Sequence, residues 1–170
     1  MTLRKRRFIV FTINLFLFAF LLLMRSTGIL TLKIYGAAPL LPLALLIALS
    51  IFAGETTAFL TGLAVGAMLD SISPSKFGFN SVTLMLIGLL AALVSNHIFN
   101  KNIRAAAVLC LLCSMLYYIV RWIICDAYLL GFYENAGYFL HYVLPSGIYT
   151  AVFIIPFYFL EKKLYGKLKV

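Results

Sequence analysis

Residues 8–24 read FIVFTINLFLFAFLLLM, a run broken only by the polar Thr12 and Asn14. A helix needs about 20 apolar residues to cross the hydrocarbon core of a bilayer, and this run comes close to that length. The preceding TLRKRR carries four basic side chains, and Arg25 closes the run. Signal peptides also begin this way, but no small-x-small cleavage site follows. The segment therefore reads as an uncleaved first membrane helix.

The rest of the chain agrees with that reading. Of its 170 residues, 64% are hydrophobic and only 11% are charged, and the mean hydropathy is +1.07. Soluble domains hold roughly 45–50% apolar and about 25% charged residues. A water-soluble fold of this size has too little interior to hide so much apolar surface, so its solvent is lipid. Five acids, two histidines and three cysteines leave little material for a catalytic site. The net charge of +9 lies at the chain ends and in short connections. It does not form a face on which nucleic acid would bind.

The expectation is an all-α integral membrane protein of six transmembrane helices in one domain, residues 1–170, with both termini cytoplasmic. The spans fall at about 8–24, 38–53, 56–70, 79–99, 104–125 and 142–160. The second and third apolar runs, 40–53 and 58–69, are short for straight spans and are separated by Gly54 and Glu55. They are expected to be tilted or partly shielded. Residues 126–141, DAYLLGFYENAGYFLH, carry many aromatics and no Lys or Arg, which suits an interfacial segment outside the membrane. In this topology ten basic residues lie on inner segments and only Arg25, Lys33 and Lys76 on outer ones. That is a strong positive-inside bias.

Polar residues inside the spans are few. The stretch GLAVGAMLDSISPSKFG, residues 62–78, is the most informative: with Ala58 before it, Gly62, Gly66 and Asp70 recur every four residues and form one stripe. Small residues so spaced let a second helix approach closely, whether from the same chain or from a partner. Gly66 should then accept Ala more readily than Leu. Asp70 falls at a helix C-terminus, where the macrodipole disfavours a negative charge, so it needs a partner. The possibilities are the backbone N–H groups of Ile72 or Ser73 and the side chain of Arg121. Ser73–Pro74 resembles a helix start. Arg121 and Trp122 suit an interfacial anchor, and Glu55 suits a helix start. His97 and His141 have no metal-ligating neighbours. Cys110 and Cys113 form C-x-x-C on an apolar helix, which suits packing rather than zinc or redox chemistry. No catalytic constellation, cofactor site or metal site is expected.

Several features together resemble a known family: the basic N-terminus, a Pro before the second helix, and the G-x-x-x-G-x-x-x-D pattern of Gly62, Gly66 and Asp70 with Gly78 beyond. Leu144, Pro145 and Tyr149 near the last helix and the basic tail complete the likeness. This layout resembles the bacterial rod shape-determining protein MreD family over nearly the whole chain. The resemblance implies a non-catalytic, multi-pass subunit of the bacterial cytoplasmic (inner) membrane, with a bundle like that of energy-coupling-factor S-components. It further implies binding to a bitopic MreC-like protein. Through that protein the chain would be linked to MreB filaments and to a RodA-type glycosyltransferase with its transpeptidase. Membrane lipid would be a further partner and nucleic acid would not. Gly62, Gly66, Asp70 and Gly78 carry over from the family pattern. The last helix departs from it, with Thr150 following Tyr149 where Asn is common. The alternative is a substrate-binding subunit of an energy-coupling-factor vitamin transporter. Such subunits dock through an Ala-x-x-x-Ala stripe in the first helix, whereas residues 8–24 contain only Ala19.

Overall fold

The computed structural model describes residues 3–27, 39–72, 78–97, 102–127 and 144–168. Among these the regular elements are all helical: α1 (Leu3–Ser26), α2 (Leu41–Phe52), α3 (Glu55–Ile72), α4 (Phe79–His97) and α5 (Ile103–Arg121). Helix α5 runs on into a π-helical turn (Trp122–Ala127), and α6 (Leu144–Val152) and α7 (Ile154–Leu168) follow. By length and composition, Phe8–Ser26, Phe79–His97 and Ile103–Ile124 can each cross a membrane. The interfacial segment expected at 126–141, with His141, falls almost wholly outside the described residues. So do the helix start at Ser73–Pro74 and the end of the fourth span at 98–99.

Helix α2 explains why the second apolar run is short. Its sequence, LPLALLIALSIF, is apolar on every side, and each residue from Leu41 to Ile51 is buried. Twelve residues reach about 18 Å, well short of a hydrocarbon core of about 30 Å. A helix that is apolar all round belongs inside, and α2 packs against α3, α4, α5 and α7. The expected shielding of this short run is thus supplied by neighbouring helices, which enclose α2 on all sides. Pro42 occupies its first turn, where a missing N–H costs nothing. The free N–H of Leu40 donates to Thr150 Oγ1 on α6 at 3.1 Å.

Ala53 is extended, and the Gly54 carbonyl accepts the N–H groups of Thr57 and Ala58. The chain therefore turns at Gly54 and starts α3 afresh at Glu55. Glu55 Oε1 lies 3.9 Å from Nε2 of His97 at the end of α4, so these two helices run antiparallel. A cavity of about 520 Å³ is walled by Phe8 of α1, Phe52 to Gly54, Thr57 of α3 and Tyr165 of α7. The start of α1 and the end of α7 thus meet at one end of the bundle.

The single span expected at 142–160 is instead two helices with a break at Phe153. Pro156 accounts for it. Its ring has no N–H for the carbonyl of Val152 and collides with that carbonyl in a continuous helix. Helix α7 also extends past residue 160 to Leu168, which brings Glu161 into the bundle.

Candidate functional site

The stripe on α3 is consumed inside the molecule. Ala58, Gly62, Gly66 and Asp70 are all buried, and α3 makes its most extensive contact with α4. A Cβ placed on Gly62 would lie 2.5 Å from the Leu84 carbonyl oxygen and 3.0 Å from Met85 Cα. One placed on Gly66 would lie 2.5 Å from the Asn80 oxygen and 2.7 Å from Ser81 N. The reverse contact is made by Gly88 of α4, whose Cβ would meet the Ala58 oxygen at 2.8 Å. The two backbones are in direct contact, so even a methyl group does not fit. At Gly66 Ala already meets main chain, which cannot rotate away, and a larger side chain meets more of it.

Asp70 lies where this close approach ends. Its Oδ1 accepts the Asn80 N–H at 3.0 Å. Its Oδ2 accepts the Ser81 N–H at 2.9 Å and the Ser81 hydroxyl at 2.6 Å. Asn80 and Ser81 stand in the first turn of α4, where N–H groups have no partner within their own helix. The carboxylate is therefore a cap supplied by the preceding helix, and the positive end of the α4 dipole offsets the unfavourable end of α3. These partners stand on the next helix; of the turn N–H groups the sequence suggested, that of Ser73 lies outside the described residues. Gly78, at φ +88°, turns the chain into α4 through a backbone conformation that side chains disfavour.

The cap continues into a buried polar chain. Tyr117 on α5, fully buried, donates its hydroxyl to Asn80 Oδ1 at 2.7 Å. Arg121 stands one turn further along α5. A second polar cluster ties α5 to α6. Ser114 Oγ donates to the Gly147 carbonyl at 3.3 Å. Thr150 Oγ1 donates to the Ser146 carbonyl at 2.7 Å while accepting from Leu40. Cys110 is buried with Sγ 3.9 Å from the Thr150 carbonyl, which accords with a packing role. Among the described residues no three His, Cys, Asp or Glu side chains converge as a metal site.

Two residues escaped the sequence reading. Asn14 on α1 and Glu161 on α7 are both completely buried, and Asn14 Nδ2 faces Glu161 Oε2 at 3.4 Å. In the sequence Asn14 is a polar break in an apolar run, and Glu161 directly precedes the basic Lys162 and Lys163. The one available signal was a polar residue in mid-span that needed a partner.

A family model described as rod shape-determining protein MreD matches residues 5–168. No curated protein and no solved structure matches the chain.

Proposed function

The chain belongs to the MreD family of rod shape-determining proteins, and on that premise we propose that it is a non-catalytic membrane subunit of the bacterial cell-elongation complex. It binds an MreC-like bitopic protein and so helps to place peptidoglycan synthesis along the cell. It sits in the cytoplasmic membrane with six spans and both termini inside. The observation that carries this reading is the family match over nearly the whole chain. Composition supports it, since the chain is strongly apolar and poor in charged residues. Because α4 occupies the glycine stripe, a partner docks on another face and depends on the stripe only through the shape of the bundle.

Mild-detergent purification from the native membrane tests the proposal. A single-span protein with a coiled coil projecting from the membrane is expected to co-purify. Recovery of an ATPase pair instead would overturn the reading in favour of the vitamin-transporter subunit. Helix α1 gives that alternative no docking stripe, because it turns Phe8, Phe16, Phe20 and Leu23 outward.

A further inference from the structure

Asn14 and Glu161 pose a problem of hydrogen-bond bookkeeping. Asn14 Nδ2 donates to the Val10 carbonyl at 3.1 Å and faces Glu161 Oε2 at 3.4 Å. The other oxygen of each group, Asn14 Oδ1 and Glu161 Oε1, is buried and has no hydrogen-bond partner among the described residues. Both orphans are acceptors, and they belong to two planar groups whose other heteroatoms already meet at 3.4 Å. A single hydrogen between them satisfies both, and only the acid can supply it.

The surroundings favour the neutral form. Helix α2 carries no titratable side chain. The described charged side chains of α1 and α5 are Arg25, Arg104 and Arg121, at or near helix ends. The other titratable groups on α5 are Cys110, Cys113, Tyr117 and Tyr118, and α6 contributes Tyr149. On α7 itself, Lys162 and Lys163 point outward, while Tyr158 and Tyr165 flank Phe52. Among the described residues no cation lies within ion-pair distance of Glu161. An unpaired carboxylate buried in this way is far more costly than a hydrogen-bonded neutral acid.

We propose that Glu161 is a proton-binding site: it holds a proton on Oε1 and donates it to Asn14 Oδ1, closing an acid–amide ring that joins α7 to α1 without net charge. The ligand is a proton, reached from the end of the bundle where Val10 and Tyr165 wall the 520 Å³ cavity. Loss of the proton leaves an anion opposed to the Asn14 carbonyl across the α1–α7 contact, so deprotonation weakens that contact. The inference does not depend on which partner the chain binds.

Infrared difference spectroscopy of the full chain in lipid nanodiscs, wild type minus Glu161→Gln at neutral pH, tests it directly. The expected result is a protonated-carboxyl C=O band that shifts in D2O and is absent from the variant. In Asn14→Ala the same band should move to higher frequency as its acceptor is lost. Glu161→Gln keeps both hydrogen bonds as an amide pair and should melt with the wild type, whereas Glu161→Ala should melt lower. Carboxylate stretching bands assigned to Glu161 would overturn the proposal by showing an anion held by a cation or by water. An Asn14→Ala spectrum with the carboxyl band unmoved would also overturn it. If Glu161→Gln does not fold, the Asn14→Ala comparison decides alone.

Discussion

Asp70 has the wrong charge for the end of its own helix and the right one for the start of the next. Both of its oxygens are used, Oδ1 by Asn80 and Oδ2 twice by Ser81. Asp70→Ala leaves two backbone donors of α4 uncapped and should cost about 2–3 kcal/mol in reversible unfolding from detergent. Asp70→Asn is expected to lose about 1–2 kcal/mol, because its amide turns a donor toward Asn80 or Ser81. That is more than a simple turn residue would lose. Tyr117→Phe removes the donor to Asn80 Oδ1 and should cost about 1 kcal/mol. Since Tyr117 and Asp70 share Asn80, a double-mutant cycle between them should be non-additive. Fully additive losses would show two independent contacts. The need of Asp70 for a partner was legible from position alone. Its identity was not, because the partners stand ten and eleven residues further on, and only the approach of α4 brings them near.

At the scale of elements, the α3–α4 pair rests on glycines that face backbone. Gly66→Ala should destabilise the chain by about 1–3 kcal/mol, as overpacking does when the neighbour cannot repack, and Gly62→Ala by a similar amount. Gly166 provides the control. It is exposed on α7, with open space where a Cβ would go, so Gly166→Ala should be neutral or stabilising by up to about 1 kcal/mol. Thermal melts of the three variants in one detergent check this, and a Gly66→Ala melt matching that of Gly166→Ala would contradict the close approach. The four-residue spacing was visible in the sequence and announced a tight contact. Whether the contact was internal or offered to a partner was not visible, because spacing describes one helix and the answer lies on the other.

For the whole molecule, the shared cavity and the Glu55–His97 approach put the start of α1, the end of α4 and the end of α7 at one end. Tyr117, late in α5, meets Asn80, early in α4, which puts the start of α5 at that end too. With the positive-inside bias, this end should face the cytoplasm. Single cysteines at Arg104 and Lys163, in a chain whose native cysteines are replaced, should therefore be labelled only from the cytoplasmic side. One at Asn135 should be labelled only from outside. Labelling of Asn135 from the cytoplasm would rule out the six-span arrangement.

Lipid as solvent, the helical character of the apolar runs and the asymmetry of basic residues follow from the sequence alone. Each is a sum along the chain, and the hydrophobic effect and membrane electrostatics act on such sums without reference to neighbours. Tertiary structure alone decided that the short apolar run 40–53 is the enclosed core, since a buried helix and a lipid-facing one can share a composition. The break in the last helix, by contrast, has a local cause that the sequence carries, the ring of Pro156. Packing also brought Asn14 to Glu161, 147 residues away. A polar group in a membrane announces that it needs a partner, but which partner it finds depends on how the helices meet.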